Sequence, residues 1–298
     1  MKNKTAIIIV GPTAVGKTSV AIQLAQHLHT KIISADSRQC FKELNIGVAK
    51  PSDDELKSVH HYFINSHSIH EDVNAALFEQ LSLQWTNEVF RNNDTVVMVG
   101  GTGLYVKAFC EGLDEIPAID FSVRKEIQSH YQEEGIDWLQ EQIKNKDAEF
   151  YQFGEMQNPQ RMMRALEVKL STGKSIISFR SQQKKQRAFS IKKIGLQLPK
   201  EELNRNIHSR VDDMIAKGLV EEAKDLFPQR NLNALQTVGY SELFDFFEGK
   251  ISLDESIELV KKNTRHYAKR QMTWFKKDEN IHWLAPNEWE QIKKITES

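Results

Sequence analysis

Ala6-Ile7-Ile8-Ile9-Val10 is an unbroken apolar run closed by glycine, and Ser19-Val20-Ala21-Ile22-Gln23-Leu24-Ala25 behind it has helical apolar spacing. Lys31-Ile32-Ile33-Ser34-Ala35-Asp36 and Thr95-Val96-Val97-Met98-Val99 read as two further buried strands. The first ends in Asp36-Ser37-Arg38-Gln39 and the second in Gly100-Gly101-Thr102-Gly103. Strands alternating with helical stretches predict an α/β core, a parallel sheet flanked by helices, with ligands at the carboxyl ends of its strands. The loops at 11–18, 36–39 and 100–103 therefore face one pocket.

Between about Ile116 and Ser190 the periodicity is helical and no buried strand stands out; Pro117 and Pro159 punctuate the region. This predicts an all-helical insertion over 116–190, set into a catalytic core made of 1–115 and 191–298. Ile191–Leu198 returns the chain to the sheet, and a helix begins after Pro199. Asn204–Leu226 is amphipathic and broken near Gly218, with Arg210 among or beside the core-facing Ile207, Val211, Ile215, Leu219 and Val220. Ile281-His282-Trp283-Leu284 reads as a terminal strand followed by a helix.

Of the 298 residues, 27% are charged and 40% hydrophobic, ordinary values that do not indicate disorder. The net charge of −1 conceals two acid-free stretches, Lys174–Lys193 and Lys261–Lys277, each with seven Lys or Arg interleaved with aromatic residues. A neutral total thus leaves room for a polyanion partner. Each stretch is either a solvated face or a contact for a phosphate backbone. Cys40 and Cys110 lack metal or disulfide-framework spacing, which suits a reducing interior. With no signal-peptide core, and no apolar stretch near the ~20 residues of a membrane span, a cytoplasmic chain without a membrane partner is expected. Nothing in the pattern suggests an obligate dimer, so a monomer is expected too.

The chemistry starts at Gly11-Pro12-Thr13-Ala14-Val15-Gly16-Lys17-Thr18, a G-x-x-x-x-G-K-[ST] pattern in strand–loop–helix context. Backbone N–H groups would turn onto an anion, Lys17 would reach its outer oxygens, and Thr18 would offer its hydroxyl to Mg2+. A mere Gly-rich turn needs neither Lys nor Thr. The strand Thr95–Val99 closes on glycines and a threonine, where a phosphate-hydrolysing enzyme usually carries an acidic magnesium ligand. The strand-end carboxylate nearby is Asp36. It suits a water-mediated metal contact, a general base, or a turn-capping residue. On residues alone this suggests an enzyme moving a group from a phosphate-bearing donor to a large anionic acceptor. A small-molecule kinase and a nucleotide-dependent nucleic-acid-binding switch stand as alternatives.

Together with Gly100-Gly101-Thr102-Gly103-Leu104-Tyr105, Asn158-Pro159-Gln160-Arg161 and Tyr267-Ala268-Lys269-Arg270-Gln271-Met272-Thr273-Trp274-Phe275, these motifs resemble the bacterial tRNA dimethylallyltransferases, in family order over nearly the whole chain. The resemblance implies a P-loop core and transfer of a dimethylallyl group from dimethylallyl diphosphate to N6 of adenosine 37 of tRNA, immediately 3′ of the anticodon. It implies Asp36 as the base, Thr102 near the reacting centre and Arg210 on the diphosphate, with Gly11–Thr18 and Mg2+ holding the leaving group. It also implies tRNA contacts, at the anticodon stem–loop, from Asp36, Ser37, Arg38, Gln39, Thr102, Arg124, Gln160, Arg161, Met162, Met163, Arg164, Lys269 and Arg270. Phe41 and Val48 depart from the tyrosine and threonine common at those places.

Overall fold

The structure is a computed structural model that describes residues 4–117, 119–181 and 183–297. Two compact units divide the chain, one from Met1–Glu111 with Gln186–Ser298 and one from Gly112–Lys185. The first unit holds β1 (Thr5–Val10), α1 (Lys17–His27), β2 (Ile32–Ser34), α2 (Asp53–Ser58), β3 (His61–Tyr62), α3 (Ala75–Val89), β4 (Thr95–Val99) and α4 (Gly103–Glu111). The second unit holds α5 (Phe121–Lys146), α6 (Ala148–Phe153) and α7 (Pro159–Thr172). The chain then returns to the first unit with β5 (Ser190–Leu196), α8 (Lys200–Ala216), α9 (Leu219–Leu226), α10 (Tyr240–Phe247), α11 (Leu253–Phe275), β6 (Ile281–Leu284) and α12 (Trp289–Glu297).

Six strands pair in the order β3-β2-β4-β1-β5-β6, every pair parallel. Because β1 is covered on both faces, its side chains sort by alternation. Ile7 and Ile9 join Val20, Ala21 and Leu24 of α1 in one core, while Ala6, Ile8 and Val10 join Phe109, Leu219 and Phe244 in the other. That double burial is why the run reads as continuously apolar. β3, only two residues long, has no periodicity to read. β5 carries Lys192 and Lys193 yet sits inside the sheet. Lys193 Nζ lies 2.5 Å from an Asp278 carboxylate oxygen and Lys192 Nζ donates to the Ile295 carbonyl at 3.0 Å. The chain rejoins the first unit at 186, earlier than periodicity indicates. There Arg187 donates to the carbonyls of Ala108 and Phe109 and pairs with Glu79, and Phe189 stacks on Phe109. Arg187, Lys192 and Lys193 of the first basic stretch are thus committed to the fold.

Gly218, at φ 97°, separates α8 from α9 where the sequence breaks. The second basic stretch lies on α11, which opens on a Ser252–Glu255 capping box and buries the stripe Val260, Ala268, Gln271 and Phe275. Within the helical unit, Ile127, Leu139, Ile143, Phe150, Met162 and Leu166 form a separate core. Both cysteines are free and buried. Among the described residues, no helix is long and apolar enough to cross a membrane.

Gly100 ends β4 against the neighbouring strand, where an added Cβ would lie 2.2 Å from the Ala35 carbonyl oxygen. That backbone is fixed by the Val99 carbonyl, which accepts from Ala35 N at 2.7 Å. Gly100→Ala is therefore expected to destabilise the protein by about 2 kcal/mol or more, as overpacking against fixed backbone does. A thermal melt indistinguishable from wild type would contradict this packing.

Candidate active site

Gly16, at φ 96°, turns the chain out of the loop and into α1 without capping the helix by a side chain. The leading N–H groups of α1 are left for an anion, with the positive end of the helix dipole behind them. Lys17 folds back so that Nζ donates to the Pro12 carbonyl at 2.7 Å. Burial first, then the positive charge of Arg210, lower the Lys17 pKa to about 7, although Asp36 acts the other way. Arg210 projects from α8, and its Nη1 donates to the Thr13 hydroxyl at 3.3 Å; burial also lowers its pKa. Asn206, one turn earlier on the same helix, reaches the Ala14 carbonyl at 3.4 Å.

The other two strand ends close on the same cavity, whose volume is about 240 Å³ and whose lining includes Lys17, Thr18, Asp36, Gly101, Arg210 and Tyr267. Asp36 Oδ1 accepts from Arg38 N at 2.9 Å and Gln39 N at 3.3 Å, so the turn-capping role is real. It occupies one oxygen. Oδ2 makes no hydrogen bond among the described residues, so capping and chemistry fall to different atoms of one carboxylate. The Thr102 hydroxyl accepts from Ser37 N at 3.0 Å, tying the loop after β4 to the loop after β2. Gln39 is turned inward: Nε2 donates to the carbonyls of Val48 and Ala49 at 3.2 and 3.0 Å. The contact at Val48 uses backbone, so its departure from threonine leaves this bond untouched.

Several residues that the motifs did not single out hold this arrangement. Gln271, on the buried stripe of α11, accepts from Thr13 N at 2.8 Å and donates to the Gly101 carbonyl at 3.1 Å. Glu222 receives Ile46 N and Gly47 N, each at 2.9 Å, and the Tyr240 hydroxyl at 2.6 Å, fixing the loop that leads to Val48. Burial, then the charge of Asp36, push the Tyr267 phenol up to about 12, so it stays protonated beside the carboxylate. No local sequence signal marked the bridging role of Gln271 or that of Glu222.

The remaining candidates are distributed over both units. On α11, Lys269 and Arg270 are exposed, and the Arg270 guanidinium lies 5.7 Å from the Tyr267 ring centre. Lys261 of the same helix is engaged with Asp212 and Glu258. In the helical unit Gln160 and Arg161 are exposed on α7, and Arg124 and Arg164 converge on Glu167. The structure corrects the expectation for Met162 and Met163. Both side chains are buried in the helical core, so they support α7 and do not present themselves to a partner. Among the described residues, no group of three or more His, Cys, Asp or Glu could cage a metal ion.

A family model described as IPP transferase matches residues 39–278. The chain belongs to this family. It is 49% identical over 282 residues to the tRNA dimethylallyltransferase of Christiangramia forsetii, covering 95% of this chain and 93% of that one. Among solved structures, it resembles a tRNA isopentenylpyrophosphate transferase from Bacillus halodurans with a TM-score of 0.70 at 33% identity, over 99% of this chain and 94% of that one. It also resembles a eukaryotic dimethylallyltransferase acting on tRNA, with a TM-score of 0.78 at 25% identity, over 99% of this chain and 77% of that one. The family model begins after the P-loop and Asp36, so those rest on the sequence pattern, the geometry above and the wider reach of the relatives.

Because Lys17 is held near pH 7 and an arriving anion favours its charged form, anion binding above about pH 7 takes up a proton. The contribution of Lys17 to affinity for inorganic diphosphate is therefore expected to fall as pH rises from about 7 toward the ordinary lysine value. Titration calorimetry at pH 8.5 in buffers of different ionisation enthalpy should show uptake approaching one proton, abolished in Lys17→Met. A pH dependence of affinity that is the same in wild type and in Lys17→Met would contradict it.

Proposed function

We propose that this chain transfers a dimethylallyl group from dimethylallyl diphosphate to N6 of adenosine 37 in tRNA, releasing diphosphate. The observation that carries the reading is the free Oδ2 of Asp36 in the same cavity as the anion loop. An allylic C–O bond breaks with cation character at carbon and growing negative charge on the leaving diphosphate. The α1 N–H groups, Lys17 and Arg210 oppose that charge, a preorganised stabilisation of the kind that usually dominates such steps. As the N6–C bond forms, N6 loses a proton to Asp36 Oδ2. Thr102, bonded to the turn that carries Asp36, holds the acceptor side of the pocket in register.

The target base reacts only when unstacked, so it enters the cavity extruded from the anticodon loop. Tyr267, protonated beside Asp36, supplies an aromatic wall and a hydrogen-bond donor there. Magnesium fits the donor set: the Thr18 hydroxyl is a hard ligand for an ion that keeps most of its waters and takes the rest from phosphates, needing no protein cage. When bound, it adds positive charge against the leaving group. Lys269, Arg270 and the arginines of the helical unit meet the RNA backbone. The reaction requires neither hydrolysis of an anhydride nor an acid at the end of β4, which favours it over the kinase and switch readings. Its setting is cytoplasmic.

The test is incubation with unmodified tRNA, magnesium and either dimethylallyl diphosphate labelled in the prenyl group or labelled ATP. Label is expected in RNA from the first alone; phosphate transfer from ATP to a small molecule would replace this reading with a kinase. Asp36→Asn should lower the turnover number at least a hundredfold, the usual scale of a lost general base, with tRNA affinity within about threefold of wild type. Near-normal prenylation by that variant would reduce Asp36 to a turn cap.

A further inference from the structure

Glu167 is a buried carboxylate of the helical unit, 5% exposed, that the transfer chemistry does not use. Its Oε1 lies 3.3 Å from Arg124 Nε, and its Oε2 lies 3.4 Å from Arg124 Nη2 and 3.2 Å from Arg164 Nη1. Arg124 comes from the first turn of α5, whereas Arg164 and Glu167 stand one turn apart on α7. Despite these bonds the two arginine side chains keep 37% and 36% of their surface exposed. Each guanidinium is therefore held by the acid on a side chain that the fold does not enclose. Arg161, exposed and one turn further toward the α7 N-terminus, extends the same row.

Neither of two simpler roles accounts for all of this. If Glu167 only fastened α5 to α7, well-packed apolar side chains would do as well, and two half-exposed arginines would be unnecessary. If the arginines only supplied diffuse positive charge, an acid buried between them would be counterproductive, since it cancels one of their two charges. Both features are needed if orientation matters more than net charge. A guanidinium binds phosphate best through two parallel N–H groups, and its long side chain otherwise loses much rotamer freedom on binding. A carboxylate at its back removes that freedom during folding instead.

We propose that Glu167 is a positioning residue that presets Arg124 and Arg164 as a fork for backbone phosphates of the RNA substrate. The inference rests on the RNA-modifying function proposed above. It predicts a sign opposite to that of simple electrostatics: deleting a negative charge from a polyanion-binding surface should weaken binding.

The experiment measures binding of a fluorescent, unmodified anticodon stem–loop to the full-length protein at fixed salt. Glu167→Gln is made alone and in an Arg124→Ala/Arg164→Ala background, and inorganic diphosphate affinity is measured in parallel. Glu167→Gln is expected to weaken RNA binding about tenfold, the scale of one charge-assisted hydrogen bond, to have no further effect once both arginines are gone, and to leave diphosphate binding unchanged. Tighter or unchanged RNA binding by Glu167→Gln overturns the proposal. So does an equal loss in both backgrounds, which marks a role in folding alone. Failure of the wild-type protein to bind the stem–loop, with diphosphate binding intact, overturns the RNA reading itself and this inference with it.

Discussion

The side-chain amide of Gln271 joins two strand ends that have no direct reason to keep their distance. Its oxygen accepts from Thr13 N in the anion loop and its nitrogen donates to the Gly101 carbonyl in the loop after β4. A Cβ at Gly101 would lie 2.0 Å from the amide nitrogen, so a side chain there would push the amide out of this bridge. From Gly101 the chain passes to Thr102, whose hydroxyl receives Ser37 N beside Asp36. One buried amide on α11 thereby sets the spacing between the glycine-rich loop after β1 and the Asp36 carboxylate. Replacing it with an apolar side chain would leave a backbone donor and acceptor unpaired, a cost of about 1–3 kcal/mol each, concentrated where geometry matters most.

The charges around that frame are arranged for a guest. Lys17 and Arg210 crowd each other in a buried setting, and both pKa values are lowered. Such crowding disfavours the empty pocket and is relieved by a polyanion, so part of the binding energy is prepared during folding. Asp36 divides its labour by atom, with Oδ1 closing the turn after β2 and Oδ2 left available. The capping bonds fix the direction of the free oxygen, so a local structural role and a chemical role reinforce one another. Glu167 does for arginines in the helical unit what Gln271 does for loops in the sheet unit: each is a buried polar group that orients others.

Much of this was legible in the sequence, for identifiable reasons. β1, β4 and β6, the anion loop and the break at Gly218 are written in local patterns, namely runs of apolar residues, glycine spacing and a helix stop. β3 was not, since two residues carry no period, and the insertion boundary fell early because Arg187 and Phe189 attach the chain before its strand begins. The expectation for Met162 and Met163 failed because proximity in a motif does not say which helix face a residue occupies; both lie on the face of α7 that packs into the core with Ala165 and Leu166. Gln271 and Glu222 act over more than a hundred positions of sequence separation, through bonds that no local pattern encodes.

The proposed reaction requires the departing anion and the accepting carboxylate to share one pocket, framed by Gln271. A crystal structure with dimethylallyl thiolodiphosphate, an analogue that resists departure of its leaving group, tests this most directly. Its diphosphate is expected on the N–H groups and side chains of residues 14–18 and on Arg210, with the carbon that bears the leaving group directed toward Asp36 Oδ2. Diphosphate bound away from that loop, or its prenyl carbon turned from Asp36, would contradict it.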